Sequence, residues 1–285
     1  MRPPFERIDP TGAETPVVVE VPHAGIEADA AFLEPLVAPA RSLGRDADLY
    51  VDALYEDAPA HGATLLVARA SRYVIDLNRG EKDIDGDVVE GARGDVRMHH
   101  GLIWRTTSDG EPALSRRLNA HELEERLELV WRPYHRELAA IIERKRQRFG
   151  MVVLLAAHSM PSVDRGVRGA RDGREGVEAV ARGRADVVPG SRGRRSAAGR
   201  FIDVVEAHAV AEGWSVRHDE PYAGGFTTQH YGRPADGVHA VQVELARRLY
   251  LDETTLRPSS RFPAIRAWCG LLVGKLAEAA ESSSP

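Results

Sequence analysis

MVVLLAAHSMP, residues 151–161, is the stretch from which the rest of the chain is read. Met151–Ala156 is the most apolar run in the sequence and reads as a central strand buried on both faces, the pattern of a parallel sheet. It delivers His158-Ser159-Met160-Pro161 at its end. Moving outward, Thr15–Pro22 (TPVVVEVP) is a β-branched run that stops at His23-Ala24-Gly25, where the chain turns. Ala63–Ala68 and Arg72–Leu77 read as two short strands, the second ending at Asn78-Arg79-Gly80. Val238–Val243 (VHAVQV) is another strand, running into Glu244 and the amphipathic Leu245–Tyr250, and Trp214–His218 is a shorter one. Helical segments lie between them. Asp46–Asp57 has Leu49, Val51, Leu54 and Tyr55 near helical spacing, and Ala113–Gly150 is strongly helical with a break or kink near Pro133. Ala197–Gly213 and Pro263–Glu281 complete the set.

Strands alternating with helices predict an α/β fold: one domain over residues 1–285, with a central mixed, mostly parallel sheet flanked by helices on both faces. Residues 81–110, rich in Gly and Asp, read as a long ordered surface loop. Residues 164–195 are Arg/Gly-rich and poor in large apolar groups, so little core is expected from them, and 282–285 read as a frayed tail.

Composition narrows the function. The 285 residues are 43% apolar and 28% charged, ordinary for a folded protein. A net charge of -5 and a pI near 6.1 offer no global attraction to nucleic acid or anionic lipid. The first residues, MRPPFERIDP, hold no apolar leader, and no run reaches membrane-spanning length; a cytoplasmic protein is expected. Cys269 is the only cysteine, so an internal disulfide and a cysteine-based zinc knuckle are both excluded. Any metal must be held by His, Asp or Glu.

In parallel α/β sheets ligands bind beyond the C-terminal strand ends, and the polar residues of note fall there. His23 follows VVVEVP, His158 follows MVVLLAA, Asn78-Arg79 follow RYVIDL, and Glu244 ends VHAVQV. Two neutral imidazoles and one carboxylate make the three-ligand set of a hydrolytic zinc site. Asp46, Asp48 and Asp52 are the candidate carboxylates; helix capping explains one of them, Asp46, and spacing does not choose between the other two. Arg79 suits a bidentate clamp on a carboxylate, or a surface ion pair. Period-two alternation puts Glu244 on one face with Gln242 and Ala240, where a carboxylate can serve as general base.

Taken together, VPHAG (21–25), DADLYVDALY (46–55), SRYVIDLNR (71–79), GLIWR (101–105), RPYH (132–135), AHSMP (157–161), PYAGGFTTQHYG (221–232) and VHAVQVELARRLYLDE (238–253) resemble the N-formylglutamate amidohydrolase family. The resemblance implies a zinc carboxypeptidase-like fold with a mononuclear Zn2+ site held by His23, Asp48 and His158. It also implies Glu244 as general base and Asn78 with Arg79 on a substrate carboxylate. Gly224-Gly225 and Thr227-Thr228 look like a loop whose backbone approaches the substrate. The implied reaction is hydrolysis of a small N-formyl amino acid, N-formyl-L-glutamate in the first instance, with no nucleic-acid or membrane partner. The family usually carries an acidic residue where Ala156 stands, two positions before His158. The alternatives are an amidohydrolase for another N-acyl amino acid, or a degenerate homologue that binds a metabolite without turnover. Ser159 lacks the G-x-S-x-G surroundings of a serine hydrolase.

Overall fold

The apolar runs pair within one six-stranded sheet in the computed structural model, which describes residues 3–91, 100–164 and 182–282. The strands begin with β1 (Phe5–Ile8), β2 (Val17–Val21), β3 (Thr64–Ala68) and β4 (Val152–Met160). A two-residue ribbon, β5 (Val163–Asp164) with β6 (Arg182–Gly183), precedes β7 (Val187–Gly190) and β8 (Val238–Ala246). A second ribbon, β9 (Leu251–Asp252) with β10 (Arg257–Pro258), follows. The sheet order is β1-β3-β2-β4-β8-β7. Its inner strands β3, β2, β4 and β8 are mutually parallel, and the edges β1 and β7 are antiparallel to their neighbours. The expected mixed, mostly parallel sheet is observed.

Helices cover both faces. In chain order they are α1 (Ala30–Leu33), α2 (Ala40–Asp46), α3 (Val51–Leu54), α4 (Ala120–Arg126), α5 (Arg132–Phe149), α6 (Gly199–Ala211), α7 (Phe226–Tyr231) and α8 (Phe262–Glu281). Val17, Val19 and Val21 share one core with Leu155, Val241 and Val243, packed against α3, α6 and α8. The alternate residues Val18, Leu154 and Ala240 share the other with Tyr134, Leu138 and Ile141 of α5. Both faces of each inner strand are therefore apolar, which is why these strands read as runs rather than alternations. Each fully buried Val or Leu contributes about 1.5–3 kcal/mol. No helix among the described residues is long and apolar enough to cross a membrane.

Local structure departs from the sequence expectation in several places, each for a visible reason. Of the helix expected over Asp46–Asp57 only the short α3 (Val51–Leu54) forms: α2 ends at Asp46, and residues 47–50 are not helical. Tyr50 lies in the left-handed region (φ 65°), and the Asp48 N–H donates to His23 O at 2.9 Å, so a tertiary bond replaces a helical one. The strand expected at Arg72–Leu77 is a turn: the Asp76 carboxylate accepts from the Asn78 N–H at 2.9 Å, which satisfies backbone without a sheet partner. Residues 113–119 are not helical; the helix begins at Ala120, where Asn119 and Glu122 form a reciprocal capping box. The kink near Pro133 is a π-helical turn over Leu127–Trp131, the wider turn expected where proline withholds an N–H.

The Arg/Gly-rich region does contribute core. Val187 and Val188 are buried in β7, an edge strand hidden in the sequence by its basic flanks. Residues 165–181, the middle of that segment, and residues 92–99 with His99 lie outside the described residues, as do residues 283–285 of the expected tail. Trp214–His218 forms a single bridge, Val216 to Val187, rather than a strand. Ala156 of β4 is in register with Glu20 of β2.

Candidate active site

The site gathers at the C-terminal ends of the parallel strands, as such folds dictate. His23 lies two residues past β2, and His158 sits in the last three residues of β4. The β4–β8 ladder pairs His158 with Glu244, so their side chains stand next to each other on one face. Asp48 enters from the non-helical link between α2 and α3, and Asp76, Asn78 and Arg79 enter from the turn after β3.

His23, Asp48 and His158 converge, all three buried, with one donor atom from each lying within 4.8 Å of the others. Asp48 Oδ2 is 3.0 Å from His158 Nδ1 and 3.7 Å from His23 Nδ1. Zinc–ligand bonds of 2.0–2.2 Å in a tetrahedron give ligand–ligand edges of about 3.3–3.6 Å, which these two distances bracket. Two imidazoles and a carboxylate, with no fourth member of the group among the described residues, fit the donor set of a catalytic rather than a structural zinc site. Among the described residues no other group of His, Cys, Asp and Glu meets this geometry.

The surroundings fix each donor. His23 Nε2 lies 2.7 Å from Asp76 Oδ1, an ionised acceptor, which leaves Nδ1 to face Asp48. Burial pushes the Asp76 carboxyl up, but the charges of His23, Arg72 and Arg79 outweigh it and hold the group well below its usual range. Arg72 and Trp104 Nε1 both donate to Asp76 Oδ2, each at 2.9 Å. For Asp48, burial likewise acts upward and is overcome by hydrogen bonding to His158 and His23, so it too stays ionised. Arg247 holds the far oxygen, with Nη2 3.4 Å from Asp48 Oδ1. The other candidate carboxylates are engaged elsewhere. Asp46, at the end of α2 and not at a helix start, accepts from Tyr73 OH and the Ser108 N–H. Asp52 pairs with Arg69 at 3.1 Å.

Glu244 is buried beside this group. Loss of hydration raises its carboxyl to about 7; the nearby His158 works against that shift and the Asp48 charge adds to it. Gln242 Nε2 donates to Glu244 Oε1 at 2.9 Å, while Gln242 Oε1 accepts from the Gly225 N–H at 2.9 Å. Asn78 is brought into the same cluster, with Nδ2 3.3 Å from His158 Nε2 and 3.4 Å from Gln242 Oε1. Arg79 stands one residue further out, its Nε donating to His100 O and its Nη1 to Asn78 O, both at 2.9 Å.

Asp76, Gln242, Arg72 and Arg247 were not given a role from sequence, although all four lie inside quoted motifs. Their partners are 53, 17, 49 and 199 residues away, and no local spacing announces such bonds. Three other described histidines have structural surroundings. His135 bridges Tyr231 OH and Leu77 O, His239 packs on Phe201, and His100 stacks on Trp104.

The glycines at 224–225 have a packing reason. A Cβ on Gly225 would lie 2.3 Å from Asn78 Nδ2 and 2.4 Å from Oδ1, inside the space of that amide. Gly225→Ala is therefore expected to cost about 1–3 kcal/mol. A denaturant titration checks it, and an unchanged midpoint contradicts the packing account.

Comparison with known proteins gives a consistent result. A family model described as N-formylglutamate amidohydrolase matches residues 15–251. An N-formylglutamate deformylase of Pseudomonas putida is 35% identical over 241 residues, 84% of this chain and 83% of that one. A second, from Pseudomonas aeruginosa, is 36% identical over 243 residues with the same coverage, 84% and 83%. The crystal structure of an N-formylglutamate amidohydrolase from Ralstonia eutropha JMP134 superposes with a TM-score of 0.86 at 32% identity, covering 99% of this chain and 100% of that one.

Proposed function

The chain belongs to the N-formylglutamate amidohydrolase family, and from that premise we propose that it is a zinc-dependent deformylase of N-formyl-L-glutamate. The observation that carries the metal part is the buried His23–Asp48–His158 convergence. The formyl and glutamate parts rest on the named activity of relatives at 35% and 36% identity.

His23, Asp48 and His158 would hold the zinc, which when bound would supply Lewis acidity toward the formyl oxygen and toward water near neutral pH. Glu244 takes the proton of the attacking water and passes it to the departing nitrogen, so formate and a free amine leave. A carboxyl raised to about 7 by burial is well matched to both transfers. Gln242 holds that carboxyl in one orientation through its 2.9 Å bond. Arg79, fixed by two main-chain carbonyls, and Asn78 bind a substrate carboxylate and place the formyl carbon; such positioning contributes several kcal/mol, on the order of 7–11 at the upper limit.

Two tests arise directly. Metal-loaded protein is expected to release formate from N-formyl-L-glutamate and to act far more slowly on N-acetyl-L-glutamate, read as amine release. Equal rates on the two contradict the formyl part. Asp76→Asn weakens the acceptor that orients His23, and zinc affinity is expected to fall about 10–100-fold. A competitive titration with a chromophoric chelator measures it, and an unchanged affinity contradicts the orienting role.

A further inference from the structure

Tyr222 lies beside the base and has no part in the mechanism above. Glu244 shares its face of β8 with Gln242 and Ala246. Its register partners are His158 of β4 and Val188 of β7, and Met160 stands opposite Ala246. The half-buried Tyr222 ring packs against Val188, Met160 and Ala246, all three buried. Side chains in register stand about 5 Å apart, and alternate residues of one strand about 7 Å. A ring seated on these three residues therefore adjoins Glu244, on the side of the strand ends. Burial raises the Tyr222 phenol above its usual range; the Glu244 charge adds to the rise, Arg184 opposes it, and Asp48 adds again, in keeping with a ring that faces the reaction centre.

The ring is held in place. Arg184 Nη1 donates to Tyr222 OH at 3.1 Å and to Pro161 O at 3.4 Å, which ties the phenol to the chain just past β4. The Arg192 N–H donates to Ala223 O at 2.7 Å, and Arg192 Nη1 to Gly224 O at 3.0 Å. A Cβ on Gly190 would lie 2.8 Å from Tyr222 O and 2.9 Å from Gly224 N, so the loop rests directly on the end of β7. Asn78 comes to Glu244 from the opposite direction: its Nδ2 is 3.4 Å from Gln242 Oε1, one step back along β8. In a trans amide the acyl substituent and the α-carbon lie on opposite sides of the C–N bond. A substrate held by its carboxylate at Asn78 and Arg79 thus points that substituent away from them, toward Tyr222. In a formyl group it is hydrogen; in larger acyl groups it is carbon. We propose that Tyr222 is a specificity-determining residue: its ring closes the space beyond the acyl carbon, admitting formyl and excluding larger acyl groups. The inference deepens the deformylase reading and rests on its placement of the substrate carboxylate at Asn78 and Arg79.

The test compares N-formyl-L-glutamate with N-acetyl-L-glutamate on full-length variants of matched zinc content. Tyr222→Ala is expected to raise the ratio of kcat/KM for the acetyl substrate to that for the formyl substrate about 10–200-fold, the range for one methyl-sized group in an apolar pocket. Tyr222→Leu shifts the ratio the same way by less. Tyr222→Phe keeps the bulk without the hydroxyl and is expected to leave the ratio within about twofold of wild type. Binding supplies a readout free of turnover: in a Glu244→Gln background, calorimetry is expected to find N-acetyl-L-glutamate held at least about tenfold more tightly once Tyr222→Ala is added. A folded Tyr222→Ala with the wild-type ratio or unchanged acetyl binding overturns the proposal, as does a Tyr222→Phe that shifts the ratio as far as Tyr222→Ala. If Tyr222→Ala does not fold, Tyr222→Leu must raise the ratio, and an unmoved ratio overturns the proposal equally. A wild type silent on every N-formyl amino acid overturns the deformylase reading and this inference with it, whereas an active wild type with indifferent variants overturns the role of Tyr222 alone.

Discussion

His158→Ala is expected to lose both bound zinc and turnover while keeping the fold. The residue is 2% exposed and stands between Asp48 and Glu244, so its imidazole touches the metal donor set and flanks the base. Removing it leaves one imidazole and one carboxylate, too few to retain zinc against a competing chelator. Loss of the metal's charge stabilisation, several kcal/mol, corresponds to at least about a thousandfold drop in kcat/KM. The strand itself has little reason to fail, because its apolar residues from Val152 to Leu155 and their ladder to β8 are untouched. Elemental analysis, formate release and a thermal melt on the same sample check the three parts. A variant that keeps zinc and activity contradicts the assignment of His158.

Glu244→Gln separates base chemistry from metal binding. The amide is nearly isosteric, its oxygen still accepts from Gln242 Nε2, and no proposed metal ligand changes. Zinc content is expected to stay at the wild-type level while kcat falls about 10²–10⁴-fold, the usual worth of a positioned proton acceptor. The pH profile supplies an independent readout. Glu244 must be ionised to take a proton, and burial raises its carboxyl to about 7 in the metal-free protein, so kcat/KM rises with pH as the group ionises and is lost as it is protonated. A bound cation draws the limb to lower pH. In the Gln variant the residual rate has no such limb from residue 244. A variant with wild-type kcat contradicts the assignment of the base.

How much of this was legible beforehand varies by the range of the interaction. The inner strands were readable because burial on both faces writes itself as local apolar runs, and the alternation in VHAVQVEL correctly placed Glu244 opposite Val241 and Val243. His23 and His158 were readable as the polar residues that follow such runs. Asp48 was not separable from its neighbours by spacing, since the helix it was read into is interrupted by the Tyr50 backbone and a bond from Asp48 to His23. Resemblance to the family singled it out, and Asp48 lies with His23 and His158 in a buried group that could hold a metal ion. Val187–Gly190 was hidden because four buried residues flanked by arginine and glycine give no periodic signal. Asp76 and Arg247 meet the site through partners far along the chain, which sequence patterns do not encode. The row of Glu20, Ala156 and Gln242 makes the same point: register, not sequence position, decides which side chains stand side by side.

The central claim is that this fold holds zinc to hydrolyse an N-formyl amino acid. Its most direct test is formate release from N-formyl-L-glutamate by protein of known zinc content, before and after chelation and after zinc is restored. The account predicts formate and glutamate in equal amounts from the zinc-loaded protein, loss of release in the stripped protein, and recovery on adding zinc back. Zinc-replete protein that releases no formate, or stripped protein that releases it at the same rate, contradicts the account.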